Sequence, residues 1–327
     1  MRAFAIFVGL IALGLAGIAI LGYPAWLVIS PWLDNPKFHR ISSRVGMGLL
    51  VIGFIFVARR LKIGDRQSMG FGLPWQEFIA VVGKSVFFGA LLMMPAVVTM
   101  IAFDLLKPAV KPHGDWINLV LGGIVTGLTV SFIEETFLRG AMLTAIKRES
   151  GAWAAIVLTA LVYAATHFLG RYRVAAANVN ADSGFDMLAH TLALFGQPLL
   201  IMDTFLCLFA VGVLLGMVRV RTGNIAATIG LHTGWVAVIY VVREVTDRRA
   251  DAPGAWLLGT VGGFMGWLVL AWTLVLGAAL VWWYRPGVVP GRDSRDSLNV
   301  TAKDLGANHE NRDPAPPLTP SQQSADS

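Results

Sequence analysis

The chain has 327 residues, of which 56% are hydrophobic and only 14% charged, and its mean hydropathy is +0.65. A soluble domain carries about 25% charged residues, so this composition excludes an ordinary soluble protein. Apolar runs long enough to cross a hydrocarbon core about 30 Å thick recur along the chain. The strands of a β-barrel would instead alternate apolar and polar residues. The sequence therefore predicts an all-α polytopic membrane protein.

Cysteine content and net charge narrow the classes of function further. The single cysteine, Cys207, excludes an intrachain disulfide and a cysteine-rich metal site. The formal net charge of +6 suits a protein beside anionic lipid and requires no nucleic-acid partner. We therefore expect the lipid bilayer, and no nucleic acid, among the partners of the chain.

Separate apolar segments predict about eight transmembrane helices. The first exceeds the apolar core of a signal peptide and lacks a clean small-x-small cleavage site, so we predict an uncleaved span. The third is expected to bend near Pro95, because proline interrupts the helical hydrogen bonds. The predicted spans are residues 4–22, 44–58, 77–103, 116–148, 152–169, 199–218, 224–242 and 256–283.

Four pairs of small residues spaced four apart predict places where helices approach closely. Such pairs indicate packing, not chemistry. They are Gly123/Gly127, Gly212/Gly216, Gly259/Gly263 and Gly262/Gly266.

Two segments outside the spans have predictions of their own. Residues 170–198 form a long connection, whose apolar part, 187–195, is expected on the membrane surface. Beyond Arg285 the chain is rich in Pro, Asp, Ser and Asn, so it cannot bury enough apolar surface to fold. We therefore predict a transmembrane helical domain over 1–285 and a disordered cytoplasmic tail over 286–327.

Basic residues in the shortest turns lie on the side of the membrane where both termini of an eight-span chain would also lie. The positive-inside rule makes that side cytoplasmic, so both termini are predicted to be cytoplasmic. The residues that decide this are Arg59, Arg60, Lys62, Arg66, Lys147, Arg148, Arg219 and Arg221.

The segment SFIEETFLRG places two adjacent glutamates, Glu134 and Glu135, inside the fourth span. A charge at bilayer depth costs ~2.5 kcal/mol or more, so such groups face a protein interior or a wet cavity. Glu135 and Arg139 stand four apart with the acid first, which is the favourable order for an ion pair. Because neighbours on a helix differ by about 100°, the two glutamates cannot enter one site equally.

Two histidines are predicted to lie at the depth of Glu134. From the turn at residues 150–151, Glu134 lies ~24 Å back along one helix and His167 ~24 Å forward along the next. In an antiparallel hairpin the two residues therefore lie at the same depth. If about 10 Å of the hairpin projects from the lipid, that depth is ~14 Å below the membrane surface. His232 lies ~13 Å past the basic turn at 221–223, on the same side. Three polar groups thus converge on one layer.

One carboxylate and two imidazoles allow two kinds of chemistry. The carboxylate and one imidazole can hold and deprotonate a water while the second imidazole donates to a developing oxyanion. Alternatively, Glu134, His167 and His232 are the ligands of a catalytic Zn²⁺ with an open position for water. The spacing is not the His-Glu-x-x-His of soluble zinc proteases. The cofactor is therefore either none or a divalent metal.

Three motifs in order resemble those of the CPBP (Abi) intramembrane proteases, which include the type II CAAX prenyl endopeptidases and relatives of bacteriocin self-immunity proteins. The first, Glu-Glu-x-x-x-Arg, is here Glu134–Arg139, followed by Gly140. The second, Phe-x-x-x-His, is here Tyr163–His167, and the third is a late histidine, here His232. The resemblance covers about residues 116–242.

That resemblance implies an intramembrane endopeptidase. Glu134 would be the general base that activates water, His167 would share the water, and His232 would stabilise the oxyanion. The expected substrate is a membrane-associated or lipidated protein, and the expected location is a bacterial inner membrane with the site open to the cytoplasm. The supporting residues would be Glu135, Arg139, Tyr163 and Trp235.

One departure from the family pattern is Val236, which stands four residues after His232, where Asn or Asp is usual. Losing one oxyanion donor costs roughly 10²–10³-fold in rate, and Trp235 offers an indole N–H on a neighbouring face as a substitute. Two other functions fit the same pattern. One is a non-catalytic membrane immunity or assembly factor of the same fold, and the other is an ion-coupled transporter that uses Glu134 as its carrier.

Overall fold

The computed structural model describes residues 1–109, 115–169 and 172–283. The chain divides into two units, Met1–Gly277 and Ala278–Ser327, and the second is described only as far as residue 283. The predicted disordered tail, 286–327, lies outside the described residues.

Helices make up most of the described chain. The first are α1, Arg2–Ile29; α2, Phe38–Arg60; α3, Trp75–Ala102; and α4, Trp116–Glu135. A π-helical segment, Thr136–Met142, continues α4 directly into the next helix. The later helices are α5, Leu143–Thr166; α6, Ser183–Phe195; α7, Pro198–Thr222; α8, Ala226–Val245; and α9, Trp267–Trp283. Two short strands, β1, Leu106–Pro108, and β2, Thr246–Arg248, pair antiparallel.

Six helices in the described part of the chain are long and apolar enough to cross a membrane. One of them, Trp116–Thr166, runs for 51 residues and includes Gly151 in a non-helical conformation with φ 81° and ψ 172°. The Arg139 guanidinium carbon lies 4.6 Å from the Tyr163 ring centroid. On one straight helix, residues 139 and 163 would lie about 36 Å apart. The chain therefore reverses near Gly151, and this segment supplies two crossings.

The shorter apolar helix α9 corresponds to the eighth span that the sequence predicts. Large apolar side chains are exposed along the outer faces of these helices, as surfaces against lipid require. The chain is an integral membrane protein, and in its described residues the β1–β2 ribbon is the regular structure that is not helical.

The eighth crossing begins later than the predicted 256–283, because the glycines before α9 form a turn. Gly259 and Gly263 exchange backbone hydrogen bonds of 2.7 and 3.1 Å. The Gly262 N–H donates to the Thr204 hydroxyl of α7 at 3.1 Å. The prediction that the glycine pairs of this stretch pack two helices together is therefore wrong; they bring a loop against α7.

The other two glycine pairs do lie where helices touch. A Cβ on Gly127 would come 2.7 Å from the Thr233 carbonyl oxygen of α8. A Cβ on Gly212 of α7 would come 2.9 Å from Ala160 of α5. α4 thus packs directly on α8, and α5 on α7, which brings the three motif-bearing segments together.

The predicted connection 170–198 contains α6, which packs on α1. Met187, in its apolar part, is buried in a cluster with Trp26 of α1 and with Phe38 and Ile41 of α2. Met187 and Thr191 of α6 therefore rest on protein, whereas Leu192 is 60% exposed on the outer face of the helix.

We expect Gly127→Ala to lower the stability of the chain by about 1–3 kcal/mol, because the added methyl group overpacks the contact between α4 and α8. The matched control is Gly83→Ala in α3, where a Cβ would meet nothing within 4 Å. Unfolding is measured in detergent with a thiol-reactive dye, since the single cysteine, Cys207, is 0% exposed. Equal melting temperatures for the two variants would contradict the close contact.

Candidate active site

Glu135 and Arg139 form a buried ion pair where α4 passes into the π-helical segment. Both side chains are 0% exposed, and Arg139 Nη1 donates to Glu135 Oε1 at 3.0 Å. Arg139 Nη2 donates to the Gly212 carbonyl oxygen of α7 at 3.2 Å. The ion pair predicted from the spacing is present, and it ties the motif to α7 as well.

His232 of α8 is buried with its two ring nitrogens directed at different glutamates. Nδ1 lies 3.0 Å from Glu135 Oε1, and because a carboxylate oxygen accepts, Nδ1–H donates. Nε2 lies 3.9 Å from Glu134 Oε2 and 3.5 Å from the Tyr163 hydroxyl oxygen. Glu135 therefore orients the imidazole so that Nε2 faces Glu134.

Glu134 differs from Glu135 in its surroundings. Its side chain is 31% exposed and lines a groove of about 470 Å³. Its Oε2 atom, however, is buried and has no hydrogen-bond partner in the described part of the chain. One glutamate is thus sealed in an ion pair, while the other lies between a groove and an imidazole.

His167 lies at the end of α5, one turn after Tyr163. His167 Nδ1 lies 2.8 Å from the Tyr163 carbonyl oxygen, which only accepts, so Nδ1–H donates. The Tyr163 ring packs edge-on against both imidazoles, with centroid distances of 4.5 Å to His167 and 5.9 Å to His232. The Glu134 carboxylate also interacts with His167 electrostatically. The structure therefore brings Glu134, His167 and His232 to one layer, where the depth estimates put them.

Two cavities lie beside these side chains. One, of about 210 Å³, is lined by α3, α5, α7, α8, α9 and the segment before α9. The other is the groove beside Glu134, which lies among α1, α2, α4 and α6 and has mostly apolar walls. The site residues in the wall of the smaller cavity are Tyr163, His167, His232, Trp235 and Val236.

The π-helical turn is a feature of the site that the sequence did not reveal. Single π-helical turns are rare and are frequent at functional sites. The turn is held from outside: the Arg219 Nε–H of α7 donates to the Arg139 carbonyl oxygen at 3.2 Å. A Cβ on Gly140 would come 2.8 Å from the Met69 carbonyl oxygen. Glycine at this position therefore allows the loop between α2 and α3 to pack against the π-helical segment.

A buried pair of hydroxyls was also missed. Ser131 Oγ and Thr233 Oγ1 lie 2.6 Å apart, and both residues are buried. They join α4 to α8. The signal in the sequence was that Thr233 adjoins His232, and that Ser131 stands one helical turn before Glu134 and Glu135 inside an apolar span.

The divalent metal of the alternative chemistry would need Glu134, His167 and His232 as its ligands. Within residues 1–109, 115–169 and 172–283, no group of three or more His, Cys, Asp or Glu side chains is placed to hold a metal ion. His232 Nδ1–H donates to Glu135, as it does in many metal-ligating histidines, and Nε2 stands 3.9 Å from Glu134 Oε2. The three side chains thus lie close together without the geometry of a ligand set, and the roles proposed below use the side chains alone.

Comparison with known proteins gives one family. Residues 116–238 match the family model described as Rce1-like: type II CAAX prenyl endopeptidase Rce1-like. No curated protein and no solved structure matches the chain. The matched residues coincide with the part of the chain that carries the three motifs, and the family is one of peptidases.

Proposed function

Residues 116–238 are an Rce1-like type II CAAX prenyl endopeptidase domain of the CPBP family, and on that premise we propose that Glu134 activates water to hydrolyse a peptide bond within the membrane. Glu134 takes a proton from a water shared with His167, and the water oxygen attacks the peptide carbonyl carbon. The proton then passes from Glu134 to the leaving nitrogen as the C–N bond breaks, which leaves a carboxyl and an amino terminus.

His232 is proposed to stabilise the oxyanion. Its Nδ1–H is held by the Glu135 carboxylate, so an imidazolium would be stabilised there and would donate from Nε2. Glu135 and Arg139 act as positioning residues, because they line neither cavity and contact the site through His232 and Tyr163.

The observation that carries the proposal is the buried, unpartnered Oε2 of Glu134. Glu135 Oε2 is buried and unpartnered as well, but Glu135 is 0% exposed and is neutralised by Arg139. Glu134 has no such cation among the described residues, is 31% exposed beside an open groove, and lies 3.9 Å from an imidazole, which is the placement of a general base.

The groove supports a membrane-associated or lipidated protein as the substrate. Its walls are mostly apolar, and it lies beside Glu134 among four helices, so an apolar segment or chain could lie there. A peptide bond next to that segment would meet Glu134. We propose further that the chain lies in a bacterial inner membrane with both termini cytoplasmic, as the basic turns indicate.

We expect Trp235→Phe to lower turnover by roughly 10²–10³-fold, because the indole N–H replaces the amide or carboxyl donor that Val236 lacks. Trp235 lines the cavity that also contains both histidines. Trp256→Phe, at an exposed position that lines neither of these two cavities, is the control. A Trp235→Phe turnover within twofold of the wild type would remove the indole from the mechanism.

The proposal is tested by profiling the termini of membrane proteins by mass spectrometry. Cells that lack the native gene express either the wild type or Glu134→Gln. We expect at least one membrane protein to accumulate uncut only with Glu134→Gln. Glu77→Gln, which removes an exposed carboxylate at the start of α3, should behave as the wild type.

Two outcomes would contradict proteolysis. Identical termini, together with rescue of a null phenotype by Glu134→Gln, would make the chain a non-catalytic immunity or assembly factor. Flux driven by a pH gradient in proteoliposomes, with no cut product, would make it a transporter.

A further inference from the structure

A third cavity lies away from the catalytic layer, on the side of the membrane that has the basic turns. It measures about 310 Å³ and is formed by the first segment of α5, the end of α7 and the loop between α2 and α3. Its polar lining consists of Gln67, Ser68, Thr144, Lys147, Arg148 and Arg219.

The charge of this cavity is strongly positive. No carboxylate is among the residues that line it. Lys147, Arg148 and Arg219 make no ion pair within the described ranges of the chain. Three cations beside one another repel, and they are stable together when an anion lies between them.

The hydrogen bonds of the two arginines go to neutral acceptors. Arg148 donates to the Lys62 carbonyl oxygen at 2.9 Å and to the Ser68 hydroxyl at 2.6 Å. Arg219 donates from Nε to the Arg139 carbonyl oxygen. These bonds fix both side chains at the cavity without neutralising them, so the site is preorganised for an anion.

One carboxylate, Asp65, lies near the cavity and is already engaged. It accepts from the Ser68 N–H at 2.8 Å, and the pKa of Asp65 is lowered by the Ser68 side chain and backbone N–H, with a smaller effect from Arg148. A single exposed carboxylate directed at Ser68 cannot balance three cations.

We propose that this cavity binds a phosphate group, either that of an anionic phospholipid headgroup or that of a soluble phosphate compound. Arginine presents a planar fork that matches phosphate oxygens, and lysine adds a point charge. A volume of about 310 Å³ accommodates a phosphate group with the first atoms of its substituent. Basic clusters beside membrane spans are where anionic headgroups are attracted.

Arg219 connects this cavity to the π-helical segment. Its guanidinium lies between the cavity and the Arg139 carbonyl oxygen, and Arg139 pairs with Glu135. Gly70, at φ +84°, admits that guanidinium, since a Cβ there would come 3.0 Å from Arg219 Nη2. A phosphate on Arg219 therefore stabilises the loop, α7 and the π-helical segment as one unit.

The test measures binding directly, so that it does not depend on proteolysis. The purified full-length chain is titrated in detergent with phosphatidylglycerol, phosphatidylcholine or inorganic phosphate, and the melting temperature is followed by the reaction of Cys207 with a thiol-reactive dye. We expect phosphatidylglycerol or inorganic phosphate, but not phosphatidylcholine, to raise it. A response to phosphatidylglycerol alone assigns the site to lipid, and a response to both assigns it to phosphate in general.

Lys147→Gln is the diagnostic variant, because Lys147 is exposed and lines the cavity, so the change removes one charge without altering a buried contact. We expect it to weaken binding about fivefold, the effect of one basic residue near a charged surface, and Lys147→Arg to restore it. Arg59→Gln removes the same charge from the same side of the membrane, outside the cavity. Equal weakening by Arg59→Gln and Lys147→Gln, or no response to any phosphate, would overturn the proposal.

Discussion

Glu134→Gln should slow cleavage of the substrate by roughly 10²–10⁴-fold, the range that a positioned general base contributes. The amide keeps the size of the side chain but cannot accept the proton of the attacking water. Glu134 Oε2 accepts no hydrogen bond from the residues that the structure describes. We therefore expect the fold to tolerate the change.

This effect is measured as the single-turnover rate in proteoliposomes, with a substrate found by terminus profiling. Glu77→Gln, the exposed carboxylate of α3, serves again as the matched control. A Glu134→Gln rate within tenfold of the wild type would show that another group removes the proton.

Arg139→Met should destabilise the chain by about 3–5 kcal/mol, because it leaves the charge of Glu135 buried without its partner. Both side chains are 0% exposed, so solvent cannot replace the lost ion pair. The same change removes the hydrogen bond to the Gly212 carbonyl oxygen and so loosens the contact with α7.

The double variant Glu135→Gln/Arg139→Met separates charge from packing. With the buried charge removed, most of the lost stability should return, while His232 loses its ionic partner and turnover stays low. The stability of both variants is measured as the temperature at which Cys207 becomes reactive towards the thiol-reactive dye. A double variant no more stable than Arg139→Met would show that the unpaired charge is not the cause.

The sequence was sufficient for the features that depend on local periodicity. The lengths of the apolar runs predict the membrane crossings. Gly151, between two long apolar runs, predicts the hairpin that places Glu134 and His167 at the same depth. The spacing of Glu135 and Arg139 gives their ion pair, because residues four apart on a helix are neighbours whatever surrounds them.

Features that depend on how helices rotate against each other could not be predicted. The sequence indicates that two adjacent glutamates cannot enter one site equally, but only the packing of α4 on α8 decides that Glu135 contacts His232 Nδ1. The π-helical turn requires the Arg219 contact from α7, which is remote in sequence. The glycines before α9 have helical spacing, and their contact with Thr204 makes them a turn.

The most direct test of water activation by Glu134 is cleavage in water enriched in oxygen-18. Wild type and Glu134→Gln are reconstituted with the identified substrate, and the new carboxyl terminus is weighed by mass spectrometry. One oxygen-18 atom in the wild-type product, with no labelled product from Glu134→Gln in the same time, is the result that we predict. Labelled product formed equally fast by Glu134→Gln, or a product with no label, would contradict the mechanism.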